Sequence, residues 1–212
     1  MFTALIIAAL ILAGAATAVG GGLVIAARKR NSLGSGPEPK LLGTGSATDL
    51  LERGFADLRV GDVVMHDAID YIVEGVIRYD EAGHHWSMAR IVDGSKSCWL
   101  LVGLERTGGA SKRILRPTEE VELGGYPPEL IMVGDERYSF DKRGTATTAL
   151  DGDTGTLGGT VQPGGGAAHR CRWWSYSAAG PNALLVEQWG DDYRVLIGAT
   201  VNDSQIEMMP GS

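Results

Sequence analysis

From Val60 onward, apolar residues come in short runs separated by Gly, Asp and Asn, a pattern that predicts strands rather than helices. In Tyr71-Ile72-Val73-Glu74-Gly75-Val76-Ile77-Arg78-Tyr79, a period of two places Tyr71, Val73, Ile77 and Tyr79 on one face. Trp86 to Val92 predicts a strand, Asp93-Gly94 the hairpin turn after it, and Ser97 to Leu104 the strand that pairs back. Ala183 to Trp189 runs into Gly190-Asp191-Asp192 and out along Tyr193 to Val201. There Tyr193, Val195, Ile197, Ala199 and Val201 alternate with Arg194, Leu196 and Thr200. The Gly-rich run from Asp151 to Gly166 reads as a loop between two halves.

The first residues follow a different pattern. Phe2 to Ala27 carries no charge and, as a helix, reaches roughly 39 Å, enough to cross a hydrocarbon core of about 30 Å with some tilt. Arg28, Lys29 and Arg30 follow at once, and the positive-inside bias keeps them cytoplasmic. Residues 1–30 are therefore expected to form a single-pass anchor in the cell membrane, with the rest of the chain in the cytoplasm. A cleaved signal peptide would want a basic start, which is missing, although Ala16-Thr17-Ala18 resembles a cleavage site. Gly14, Ala18 and Gly22 recur every four residues and offer a close-packing face for a second copy of the helix. Residues 31–47 are rich in Gly, Ser and Pro and read as a flexible tether. Thr48 and Asp49 then stand as candidate caps for a short helix carrying Leu50, Leu51 and Phe55.

The β region echoes itself. Trp86, a turn, then Trp99-Leu100-Leu101-Val102 and Glu105 resemble Trp173-Trp174-Ser175-Tyr176, a turn, then Leu184-Leu185-Val186-Glu187. A second beat joins an acidic or turn residue to a Tyr, a strand and a Gly: Tyr71 to Gly75, Tyr138 to Gly144, Tyr193 to Gly198. The expectation is a mainly β fold of two similar small antiparallel units, barrel- or sandwich-like, packed together because each alone is too small for a large core. The first unit, with its leading helix, would span 48–125 and the second 126–212.

Charge and candidate chemistry narrow the function. The net charge is −7, and leaving out Arg28, Lys29 and Arg30 takes the remainder near −10, a poor overall surface for nucleic acid. His84, His85, His169 and Cys171 are candidate metal ligands, but they lack the two closely spaced pairs of a structural zinc site, and no cofactor is expected. In His169-Arg170-Cys171-Arg172-Trp173, period two points Cys171 and Trp173 inward and the two arginines outward, which favours a packed strand with a basic outer rim over a thiol nucleophile. A Cys98–Cys171 bridge becomes attractive only if the domain faces an oxidising compartment. The Gly-rich runs lack the Lys-Ser/Thr ending of a phosphate loop. Trp174 and Trp189 are candidate exposed anchors for a protein partner.

VGDVVMHDAIDYIVEGVIRYDEAGHHW, CWLLVGLE and WWSYSAAGPNALLVEQWGDDYRVLIGATV together resemble the bacterial and archaeal family known as domain of unknown function 4178. The resemblance runs over roughly residues 57 to 210. It implies a β-rich domain whose relatives are encoded near envelope-stress and polyamine-synthase-like genes, some of them with transmembrane segments; it supplies no catalytic residues. The functional expectation is a membrane-anchored cytosolic docking module for a protein or ligand. The alternative is a small-molecule or enzymatic site between the two β units.

Overall fold

The structure, a computed structural model, describes residues 53–106, 111–155 and 168–211. The predicted anchor with Gly14, Ala18, Gly22, Arg28, Lys29 and Arg30, and the tether after it, lie outside the described residues. No helix among the described residues is long and apolar enough to cross a membrane. Of the helix expected after Thr48, the described part is a single 3-10 turn, Phe55–Asp57.

The fold is mainly β. In chain order the strands are β1 (Val63–His66), β2 (Ile69–Glu81), β3 (His84–Asp93), β4 (Lys96–Val102), β5 (Lys112–Pro117), β6 (Leu130–Val133), β7 (Glu136–Gly152), β8 (His169–Ser177), β9 (Asn182–Trp189), β10 (Asp192–Val201) and β11 (Ile206–Met209). They lie in the order β11-β1-β2-β3-β4-β5-β10-β9-β8-β7-β6, and β2 also pairs with β7. That last pairing closes β2–β5 and β7–β10 into one eight-stranded antiparallel barrel. The stretch from His169 to Ser177 is β8 from end to end.

The two halves therefore do not close separately, as two packed units would. A curved four-stranded sheet leaves two rows of unpaired N–H and C=O groups at its edges. Joining β5 to β10 and β2 to β7 removes both pairs of edges at once.

Without β11 the strand order is palindromic, β1–β5 matching β6–β10, and the registers show a pseudo-twofold relation. Val64 faces Tyr71 across β1–β2 as Ile131 faces Tyr138 across β6–β7. Both following strands then carry a bulge, between Val73 and Gly75 and between Phe140 and Lys142. Beyond it Leu101 faces Arg113 as Glu187 faces Arg194. At the seam Leu115 faces Gly198 as Leu196 faces Pro117. The structural repeat sits two residues away from the sequence echo, which sets Leu100-Leu101-Val102 against Leu184-Leu185-Val186. Leu100 and Leu101 correspond to Val186 and Glu187, because Met88 faces Leu101 where Trp173 faces Glu187. A slip of two keeps each side chain on its own face, so Leu101 and Leu185 both point to the interior.

The bulges explain a second departure. Tyr71 and Val73 do not share a face with Ile77 and Tyr79, because the extra residue at Glu74 rephases β2. Ile77 and Tyr79 join a buried cluster drawn from all eight barrel strands, including Met88, Leu101, Leu115, Ala146, Cys171, Leu185 and Leu196; this is the barrel interior. Tyr71 and Val73 instead join Val64, Ile91, Cys98, Leu100, Leu58 and Ile206 in an outer cluster, beneath the strands that curl over the first half. The second half has its own outer cluster, with Ile131, Val133 and Tyr138 covering Trp174, Tyr176 and Val186. The walls β3–β4 and β8–β9 are thus buried on both sides, which is why they read as nearly continuous apolar runs.

Inside the barrel the twofold relation is deliberately unequal in size. Tyr79 and Trp86 face each other across β2–β3, stacked with ring centroids 3.5 Å apart and planes 6° from parallel. Their counterparts across β7–β8 are Ala146 and Cys171. Conversely, Ile77 and Met88 correspond to Gly144 and Trp173. Bulky side chains at both copies of one position would meet across the interior, so the lumen alternates large with small.

Candidate functional site

Two inward-facing arginines, Arg113 on β5 and Arg194 on β10, are twofold counterparts, and each is met by a carboxylate. Arg194 lies opposite Glu187 across the β9–β10 hairpin, whose turn is Gly190-Asp191. Glu187 is 0% exposed. It accepts hydrogen bonds from Arg194 Nε at 2.9 Å, from Arg194 Nη2, from Trp189 Nε1 at 3.3 Å and from Tyr79 Oη at 2.5 Å. The Arg194 guanidinium also lies 4.4 Å from the centroid of the Trp99 ring. The pair is a buried charge with its donors satisfied, the arrangement in which a buried ion pair is tolerated.

Arg113 has no such partner opposite it, because Leu101 stands where Glu187 would be. Its Nη2 donates to Glu105 Oε1 at 2.8 Å and its Nη1 to Ser175 Oγ at 3.0 Å. Lys142 also donates to Glu105. Nearby, Arg106 pairs with Glu81 at 3.3 Å. This end of the barrel is a mixed-charge mouth in which each acid is already engaged by a base.

Neither thiol is poised to react. Burial pushes Cys171 well above its ordinary value of 9.0, the Glu187 charge adds to this, and Arg194 partly opposes it. Burial also raises Cys98, against a nearby Arg116. The two lie on opposite sides of the barrel wall, Cys171 in the interior and Cys98 in the outer cluster, and both are free. The Cys98–Cys171 bridge therefore does not form in this fold.

Burial and the Glu187 charge likewise hold Tyr79 well above its ordinary value, and burial pushes Tyr176 up to about 12. All four groups are acids kept neutral by the fold. The stability they contribute is fully present below their unfolded values and lost as pH rises through their folded ones. Denaturant midpoints should therefore hold steady up to pH 9.0, the lowest of the ordinary values, and fall above it. At neutral pH an aromatic disulfide reagent should modify neither thiol until denaturant is added; rapid native-state modification would contradict the buried placement.

The candidate metal ligands do not converge. His84 and His85 are neighbours on β3 and point to opposite faces. His84 Nε2 lies 3.3 Å from the Leu104 carbonyl. Cys171 is sealed in the interior, and among the described residues no group of three or more His, Cys, Asp or Glu could hold a metal ion. Trp174 and Trp189 are not exposed anchors either: they are 3% and 1% accessible. Trp189 fills the lumen beside Tyr79, and Trp174 packs under the second half's outer strands.

The described hollows lie on the outer wall. One, about 470 Å³, runs over the β5–β10 seam and is lined from both halves, with His66, Ile114, Arg116, Tyr138 and Ile197 among its residues. A family model described as a domain of unknown function (DUF4178) matches residues 59–203, covering both five-stranded halves. The chain belongs to the DUF4178 family. No curated protein and no solved structure matches the chain. The match to the DUF4178 domain ends before β11 and does not reach the predicted anchor.

Sequence reasoning missed the two arginine–glutamate sites of this DUF4178 domain. A signal was present for one. Leu185, Glu187 and Trp189 share one face of β9, and Glu187 and Arg194 stand symmetrically about the Gly190-Asp191 turn, so a hairpin places an acid directly against a base. For the rest of the Arg113 site there was none, since Lys142 reaches Glu105 and Arg113 reaches Ser175 only across the two halves.

Proposed function

We propose that this DUF4178 domain is a membrane-tethered docking module on the cytoplasmic side, held by residues 2–27 and presenting its outer barrel wall to a partner at the bilayer surface. The observation that supports this is the distribution of space and reactivity. The interior is packed with side chains and both thiols of the domain are buried, whereas the described hollows are on the outside. Tethering raises the local concentration of such a wall near membrane partners, so even modest affinity suffices.

The alternative, a small-molecule or enzymatic site between the halves, is favoured by one feature. The seam groove is lined from both halves and includes His66, whose Nδ1 lies 3.0 Å from the Gln205 carbonyl.

One cellular experiment tests the tethered reading with two probes in the full chain. Because both native thiols are buried, a cysteine at exposed Asp135, in the β6–β7 turn, is a clean reporter. Asp135→Cys should resist a membrane-impermeant maleimide in intact cells and react on lysis. A photo-crosslinking residue replacing Ile197 in the seam groove should give a discrete adduct that is lost when residues 1–30 are deleted. Labelling of Asp135→Cys before lysis would place the domain on the other side of the membrane. Crosslinking unaffected by the deletion would remove the tether from the function.

A further inference from the structure

The outer face of β7 and β8 carries a second hollow. It has a volume of about 330 Å³ and is lined by Tyr126, Arg143, Gly144, Thr145, Arg172 and Trp174. Thr145 stands opposite Arg172 across the two strands, and Arg143 opposite Trp174. Among the described residues neither arginine forms an ion pair, although most of the domain's other arginines do. Among the described residues no acid lines the hollow.

The twofold relation shows that the fold itself does not require this chemistry. In the first half Val76 and Ala89 occupy the positions of Arg143 and Trp174, and Ser87 that of Arg172. There Val76 and Ala89 are covered by Leu58, itself 1% exposed, in a closed apolar cluster. The same architecture is sealed with hydrocarbon on one side and left open with two guanidinium groups on the other.

The open side is also organised. Arg143 Nη1 donates to Tyr126 Oη, and its guanidinium lies 5.5 Å from the Tyr126 ring centroid and 6.0 Å from that of Phe140. Tyr126 in turn meets Trp174 edge-on, with centroids 5.5 Å apart and planes at 89°. The aromatic contacts hold one guanidinium in place, which lowers the entropy lost when it grips a ligand. Trp174 Nε1 is buried with no hydrogen-bond partner among the described residues, a donor left unused beside the hollow.

We propose that this hollow binds a phosphate group. Guanidinium planes match the oxygens of a phosphate in paired, charge-assisted hydrogen bonds, and the Thr145 hydroxyl adds a donor at the same strand pair. The adjoining hollow shares Arg172 and adds Arg170, but it also carries Asp191, which repels an anion, so the phosphate belongs beside Arg143. The overall negative charge of the chain does not prevent this, because fields from exposed charges are screened beyond about 8 Å at physiological ionic strength. The phosphate comes either on a small soluble phosphoester or as the headgroup of an anionic phospholipid. The site does not depend on the docking reading.

The test uses the full chain in nanodiscs, with the five tryptophan indoles followed by nitrogen-15 NMR. In phosphatidylcholine nanodiscs, inorganic phosphate added at constant ionic strength should move the Trp174 indole signal saturably; Trp174→Phe assigns that signal. Arg143→Gln combined with Arg172→Gln, both at exposed positions, should weaken the response at least about tenfold, the effect of losing one strong charge-assisted bond. The other four indole signals report that the variant barrel is folded. Arg78→Gln, on the outer face of the first half, should leave the response unchanged. A Trp174 shift in nanodiscs containing phosphatidylglycerol, without added phosphate, assigns the phosphate to lipid; a shift only with soluble phosphate assigns it to a free phosphoester. No saturable shift from either source, or an equal shift in the double variant, overturns the proposal.

Discussion

Arg194→Met should destabilise the domain by about 3–5 kcal/mol, read as a fall in the urea midpoint, because it leaves the Glu187 carboxylate buried without its counter-charge. The variant retains length and apolar surface over the Trp99 ring, so lost packing contributes little. Combining it with Glu187→Leu should recover part of the loss. The pseudo-twofold relation supplies the reason: Leu101 already occupies the position of Glu187 in the first half and is equally buried there. Recovery should be incomplete, since Tyr79 Oη and Trp189 Nε1 then lose their acceptor, at about 1–3 kcal/mol for an unsatisfied buried donor. If Arg194→Met costs less than about 1 kcal/mol, the value of an exposed pair, water reaches Glu187 and the interior is not sealed.

Gly198→Ala should be as damaging, about 3 kcal/mol or more, from a steric cause alone. Gly198 faces Leu115 at the seam where the two halves join. A Cβ there would lie 1.9 Å from the Ile114 carbonyl oxygen, 2.9 Å from its carbon and 3.0 Å from Leu115 Cα. All three are backbone atoms held in the β5–β10 ladder, so relief requires the strands to separate rather than a side chain to turn. Gly124→Ala is the control, because nothing lies within 4 Å of its Cβ position. Equal thermal midpoints for the two variants would mean that the seam is not packed as closely as the pairing implies.

Much of the local structure is legible in the sequence. The hairpins about Asp93-Gly94 and Gly190-Asp191, and the inward Cys171 with outward Arg170 and Arg172, follow from turn chemistry and a period of two; the Gly-rich run lies mostly outside the described residues, and its first two residues, Asp151 and Gly152, end β7. The internal repeat was partly legible through Tyr71 and Tyr138, which are true counterparts beside matching bulges. It was obscured in the lumen for a physical reason. Symmetry-related positions share one confined space, so Trp86 is answered by Cys171 and Trp173 by Met88, and the sequence match slips by two residues.

The candidate sites were less legible. Trp174 and Trp189 are buried because the walls of the barrel are covered on both faces, and a run of apolar residues does not say which face is covered. Arg143 and Arg172 belong to different strands, 29 residues apart in the chain, and their shared hollow exists only through the β7–β8 register.

By itself the sequence determined the class and rhythm of this DUF4178 domain: short antiparallel strands, tight hairpins, two related halves, and an apolar, uncharged stretch ahead of a basic cluster. These are properties of neighbouring residues, set by side-chain alternation and turn geometry. The tertiary structure alone decided that the halves share one barrel, that Glu187 and Arg194 are sealed within it, and that one outer flank is closed by Leu58 while the other stays open between Arg143 and Arg172. Those outcomes depend on which distant edges pair and on what the enclosed volume can hold, and neither is written in any single stretch of the chain.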